Sequence, residues 1–307
     1  MVTKRVTVLD GATLTIEAGT RVEGDASFEG VDASVLMIAR GGKIMAEGTV
    51  DAPIIMTSTA DDGTLTADTK GEWGGLVVLG KAPISAEQAE VQIEGVPADD
   101  VNGLYGGTAA DDNSGVITYV SIRHGGAVID AAAGDEINGL TLGGVGSGTK
   151  IENVEVYANS DDGIEFFGGT VNVTNAVVTK VGDDAIDIDQ SYSGTVTNYL
   201  VTVDGNSDEG LEIDGREGDA LGSFTLINGT IMADGSSVTC DFKSKAQGTV
   251  RNLNANGGKI KLDASFDDVF ASTENAAKNV VDGKLVFTTV NATFEVYTDD
   301  LPALLEE

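Results

Sequence analysis

The sequence holds one cysteine, one histidine, one tryptophan and four prolines, and its 18 lysines and arginines face 50 acids. Each scarcity closes off a class of chemistry. A lone cysteine, Cys240, excludes an intrachain disulfide and a cysteine-based zinc site, so stability must come from packed apolar surface. A lone histidine, His124, cannot build a histidine-rich metal centre. The formal net charge of −32 excludes nucleic acid and anionic membranes as partners, since both demand basic patches. No run reaches the ~20 apolar residues of a membrane-spanning helix, and direct membrane insertion is not expected. Met1 to Asp10 shows neither the apolar run nor the cleavage site of a signal peptide. A trimmed chain, a cytoplasmic protein, or a virion component released by lysis would each account for that.

Glycine, by contrast, is plentiful at 41 residues, which with so little proline suits a fold of many tight turns. Three acidic blocks stand out: Asp161-Asp162-Gly-Ile-Glu165-Phe-Phe, Asp183-Asp184-Ala-Ile-Asp187-Ile-Asp189 and Asp208-Glu209-Gly-Leu-Glu212-Ile-Asp214. Their starting positions differ by 183 − 161 = 22 and then by 208 − 183 = 25, the length of one coil of a β-solenoid. Within each block Ile164, Ile186 and Leu211 share a parity with Phe166, Ile188 and Ile213, while acids take the other. That alternation belongs to strands with one buried face. Stacking would place Glu165, Asp187 and Glu212 in one outward column, with Asp189 and Asp214 beginning a second. Rungs about 4.8 Å apart make such a column unfavourable unless the acids are solvated, share protons or hold a cation.

Segments led by Gly169, Gly194, Gly222 and Gly248 repeat a turn followed by a β-branched strand, again once per coil (194 − 169 = 25, 222 − 194 = 28, 248 − 222 = 26). Upstream, short strands recur at Val6–Leu9, Ala12–Ile16, Ser34–Ala39, Lys43–Met45, Ile54–Thr57 and Leu76–Leu79. Helical periodicity is nearly absent. The pattern predicts an all-β, right-handed parallel β-helix over 1–262, with loops at about 81–114 and 127–148 projecting to carry recognition. Residues 263–307 are expected to form a C-terminal cap or assembly segment, with a short helix within 267–279 and edge strands hiding the last coil.

Several long motifs resemble a known family. They are Ala39-Arg-Gly-Gly-Lys-Ile-Met-Ala-Glu-Gly-Thr49, Trp73-Gly-Gly-Leu-Val-Val-Leu-Gly-Lys-Ala-Pro-Ile84, Tyr105-Gly-Gly-Thr108, Tyr119-Val-Ser-Ile-Arg-His-Gly-Gly126 and Asp162-Gly-Ile-Glu-Phe-Phe-Gly-Gly169. Together they are similar to secreted bacterial β-helix surface lipoproteins and to related structural proteins of marine bacteriophage virions. The resemblance covers roughly residues 10–215 and implies the fold more than any chemistry. This chain shows no lipobox, which points to the virion side.

Three functional readings follow. Asn159-Ser-Asp161 followed by Gly182-Asp-Asp184 resembles a motif pair of polygalacturonase-type glycosidases, which implies Asp161, Asp183 and Asp184 as acid and base. The Gly-His-Gly of those enzymes is absent, and Lys259-Ile-Lys261, similar to their basic grip, lies far beyond the second acid (261 − 184 = 77). A second reading is calcium bound by Asp187, Asp189, Glu212 and Asp214. The third, expected here to prevail, is a non-enzymatic rod for structure or attachment, exposed on a virion or extracellular surface. Its partners would be other surface proteins, further copies of itself, or polysaccharide. Trp73, Tyr105, Arg123 and His124 are the candidates for glycan contact. Turn-forming acids on a solvated face, a packed tryptophan and an inter-coil histidine bond are the plain structural alternatives.

Overall fold

A computed structural model of the chain describes residues 1–130, 136–233, 238–264 and 274–297. Its strands stack into three parallel ladders that wind as a right-handed parallel β-helix. The first sheet contains Arg5–Val8, Val35–Ile38, Leu76–Leu79, Leu140–Gly143, Ile164–Phe167, Ile186–Asp189, Leu211–Ile213 and Cys240–Phe242 in that order. The ends of two long strands, Gly248–Asp263 and Leu285–Tyr297, extend it. The second and third sheets share long strands, among them Gly115–Arg123, Lys150–Tyr157, Asn172–Thr179, Thr195–Val203 and Phe224–Ala233.

The long strands turn a corner at residues with positive φ that line up from coil to coil: Tyr119, then Asn153, Asn175, Asn198, Asn228 and Asn252 at 55° to 59°. Asparagine tolerates this left-handed conformation better than other side chains. The five asparagines also form a ladder up the corner, the Nδ2 of each after Asn153 donating to the Oδ1 of the coil before at 2.8 to 3.0 Å. Asn198→Ala removes two of these bonds and leaves alanine left-handed, so a loss of about 2–3 kcal/mol is expected in urea denaturation. Asn198→Gly restores the conformation without the bonds and should recover only part of it.

Apolar residues from all three sheets fill the interior, with Ile44, Ile117, Ile151, Val173, Val196, Leu226 and Val250 buried in successive coils. A second apolar cluster lies on the outside of the first sheet. Met37, Val77 and Leu79 point outward there and are covered by Ile84, Ile93, Val96, Tyr105, Ala127, Ile129 and Ile137. The two predicted loops therefore do not project as free arms. Their described residues fold back on the sheet, where scattered isoleucines and valines in otherwise polar stretches bury apolar area, and residues 131–135 of the second lie outside the described residues. The second stretch is also shorter than expected, because Leu140–Gly143 is a strand of the solenoid.

The C-terminal segment differs from expectation as well. Leu285–Tyr297 pairs in parallel with Gly248–Asp263 and continues the winding past residue 262. The helix is Ala276–Val281, capped by Asn275 accepting from the Lys278 N–H. Residues 265–273 of the predicted cap lie outside the described residues.

Candidate functional site

Register fixes the acidic column. Thr141, Glu165, Asp187, Glu212, Asp241 and Lys261 are successive partners on the outer face of the first sheet. Met37 and Val77 precede them in the same column, beneath the folded-back loops. The face thus changes from apolar to acidic to mixed charge along the rod.

The second acid of each block knits the coils together. Asp162 Oδ1 accepts the Asp184 N–H at 2.9 Å, and Asp184 Oδ1 accepts the Glu209 N–H at 2.7 Å. These bonds draw the acids beneath the surface: Asp162, Glu165, Asp184, Glu209 and Asp241 are all buried. Burial, then neighbouring carboxylates, hold the carboxyls of Asp162, Glu165 and Asp187 well above the usual range. The same causes raise Asp161 to about 7 and Asp183 to about 6. Burial raises Asp184 to about 6 and Glu209 to about 8, the latter helped by the charges of Asp184 and Asp208. Glu136, from the second loop, adds its charge beside Asp161 and Asp183.

Cations serve only the lower half of this face. Lys243 pairs with Glu212, and Lys261 lies 3.7 Å from both Glu209 and Asp241. The long stretch of chain between Asp184 and Lys261 is thus spanned through Glu209, which bonds the first and faces the second. Among the described residues no lysine or arginine pairs with Asp161, Asp162, Glu165, Asp183 or Asp187.

Three groups of carboxylates each offer oxygens within 4.8 Å of one another: Asp161, Asp162 and Asp183; Asp162, Glu165 and Asp187; Asp184, Glu209 and Glu212. Two oxygens each about 2.4 Å from one ion lie at most about 4.8 Å apart, so all three groups meet the geometric condition for calcium. The third already has lysines on two of its members. The second has none, and Asp187 Oδ1 is buried with no hydrogen-bond partner. Asn138 closes the other side: its Nδ2 donates to Glu165 Oε2 while its own Oδ1 is also buried and unpartnered. Hard oxygen donors with an orphaned buried acceptor suit a divalent cation.

The quartet Asp187, Asp189, Glu212 and Asp214 is divided by this geometry. Asp187 joins Asp162 and Glu165, whereas Glu212 joins Asp184 and Glu209. Burial raises Asp189 to about 6 and Asp214 to about 7, with the charge of Glu217 farther along the face adding to both and that of Asp189 to Asp214. Asp162, Glu136 and Asn138 escaped sequence reasoning. Only Asp162 left a signal there, as the recurring second acid of each block.

The four glycan-contact candidates are otherwise engaged. Trp73 is completely buried, its Nε1–H donating to the Arg123 carbonyl at 2.8 Å, so no sugar can stack on it. Tyr105 is buried in the outer cluster and bonds Gln190. His124 is buried, with Nδ1 2.7 Å from the Thr69 carbonyl oxygen. Arg123 pairs with Glu155 at 2.9 Å and lies over the Tyr157 ring. Asp184 is likewise inaccessible at 2% exposure, which removes it as a proton donor to substrate. Asp161 and Asp183 are the acids of that trio that reach solvent.

Residues 1–304 match the family described as pectate-lyase like beta helix domain. The chain belongs to that family. No curated protein sequence matches this pectate-lyase-like β-helix. A solved structure similar to it is a pectin methylesterase from Aspergillus niger, 11% identical, with 94% of this chain and 76% of that one covered and a TM-score of 0.36. The described residues contain no helix long and apolar enough to cross a membrane.

Proposed function

We propose that this pectate-lyase-like β-helix binds acidic polysaccharide on the outer face of its first sheet, through a calcium ion held by Asp162, Glu165 and Asp187. The observation that carries the reading is the buried, unpartnered Asp187 Oδ1, set among carboxylates from two coils that no lysine or arginine among the described residues pairs with. The ion would supply positive charge where an acidic sugar would otherwise meet repulsion from a −32 chain. The protein's own residues do the rest. The Asp162 bond to the Asp184 backbone and the Asn138 bond to Glu165 hold the carboxylates in place, and the folded-back loops wall the face on one side. A rod of three stacked sheets presents such a face at a fixed position, as an attachment module on a virion or cell surface requires.

One observation favours cleavage as a second reading. Asp161 and Asp183 offer oxygens within 4.8 Å of each other, and burial with neighbouring charge raises them to about 7 and about 6, so that the pair exchanges a proton near neutral pH. Such an exchange is what a glycosidase acid and base require.

Retention of polygalacturonate and alginate on immobilised protein, in calcium and in EDTA, tests both readings. Calcium-dependent retention that Asp187→Asn abolishes is expected. Retention unaffected by EDTA overturns the cation reading. Release of reducing ends that stops in Asp161→Asn, while retention persists, would establish cleavage.

A further inference from the structure

A recess of about 550 Å³ lies apart from the acidic face, where turns after the first three strands of the first sheet meet the loop beginning at residue 81. It shares no residue with the carboxylate groups described above. Its volume falls within the range of sites for small ligands.

Two of the chain's 18 basic side chains, Arg40 and Lys81, line this recess. Each faces an exposed carboxylate. Arg40 donates to the Gly106 carbonyl at 3.0 Å and pairs at 2.9 Å with Glu90, whose side chain is 51% exposed. Lys81 Nζ is 3.8 Å from the Asp10 carboxylate, beyond hydrogen-bond distance, and the Asp10 side chain is 77% exposed. Lys81 Nζ lies against the turn that follows Arg40. A Cβ on Gly41, the residue after Arg40, would meet both Asp10 Oδ1 and Lys81 Nζ, and its φ of +81° also favours glycine.

Gly107 and Thr108 line the same recess, and their backbone N–H groups meet no acceptor among the described residues. Leu104 adds an apolar edge and Asn102 an amide. The wall is preorganised because the loop is anchored through Ile84, Ile93, Val96 and Tyr105 in the outer cluster.

We propose that this recess binds a small ligand carrying a carboxylate or phosphate group on a hydroxylated body. Arg40 offers a planar fork to the oxyanion, and Lys81 swings from Asp10 to its second side. The free N–H groups of Gly107 and Thr108 complete the donor set, while Asn102 and Glu90 take hydroxyls. Asp10 competes with the ligand for Lys81.

Isothermal titration of the full chain with glucuronate, glucose 6-phosphate and glucose, in EDTA so that no cation bridges sugars to the acidic face, tests this. Saturable binding of at least one charged sugar and none of glucose is expected, and the tighter of the two identifies the oxyanion. Lys81→Met, which breaks no hydrogen bond of the Lys81 side chain, should weaken that binding roughly tenfold or more at unchanged melting temperature. Asp10→Asn should tighten it by removing the competing carboxylate. No saturable binding of either charged sugar, equal binding of glucose, or an unchanged affinity in Lys81→Met would each overturn the proposal.

Discussion

Calcium is expected to raise the melting temperature of this protein at pH 8 by roughly 4 °C over EDTA, and Asp187→Asn to abolish the difference. The expected size follows from linkage. An ion that binds the folded chain alone contributes about 2.7 kcal/mol at a hundred times its dissociation constant. At about 1.5 °C per kcal/mol for a chain of 307 residues, that becomes the stated shift. Asp187 decides the outcome because its Oδ1 is buried without a partner beside Asp162 and Glu165. Replacing it with asparagine removes a charge and adds donors facing those carboxylates. The variant should therefore be more stable than the natural chain in EDTA, by about 1–3 kcal/mol, and no more stable in calcium. Lys243→Met serves as the contrast. It strips the cation from Glu212 in the lower group and should lower stability while leaving the calcium shift intact. Differential scanning calorimetry with and without calcium reads all three, and a natural chain indifferent to calcium would sink the site.

In EDTA the protein is expected to lose stability as the pH rises from 5 to 8, the reverse of what paired surface carboxylates produce. Asp161 and Asp214 rise to about 7, Asp184 to about 6 and Glu209 to about 8, against roughly 4 in the unfolded chain. Between those limits the folded state holds more protons than the unfolded state, so stability falls with each pH unit. The stability is present in full below about pH 4 as far as these groups are concerned, and is lost as each folded value is passed. A raised pKa corresponds to about 1.4 kcal/mol for each pH unit it spans, and allowing for the partial exposure of Asp161 and Asp214 the four together cost on the order of 5 kcal/mol across this range. Urea denaturation at pH 5, 6, 7 and 8 measures the slope directly. A flat or rising profile in EDTA would mean that the buried acids are solvated after all. Saturating calcium should offset part of the fall, because the ion takes the place of protons on Asp162, Glu165 and Asp187 and not of those on the four groups above.

The column itself was legible in the chain alone. Coil-length spacing of the acidic blocks and strict alternation placed Glu165, Asp187 and Glu212 in register, as the ladders bear out. Its continuation was harder to see. Asp241 sits in Cys240-Asp-Phe242, which alternates correctly but lacks the paired acids that marked the other blocks, and its interval from Glu212 is longer (241 − 212 = 29). The asparagine corner left a trace as well, in Asn153, Asn175, Asn198, Asn228 and Asn252 recurring mid-strand. Its reason emerges only from backbone angles, since a polar residue within a β-branched run reads simply as a solvent-facing position.

Glycine turns, β-branched strands and a coil-length repeat determined the parallel β-helix, because period-two alternation needs no partner to be read. Only the tertiary structure decided what the outer face presents. Trp73, Tyr105 and His124 are buried because loops close over them or coils pack against them, and sequence distance carries no information about that. The choice of Asp162, Glu165 and Asp187, rather than any other trio of nearby acids, has the same origin. Inter-coil hydrogen bonds pull some carboxylates under the surface and lysines reach others from coils far along the chain. Those that remain buried without a counter-charge are where a cation has most to gain.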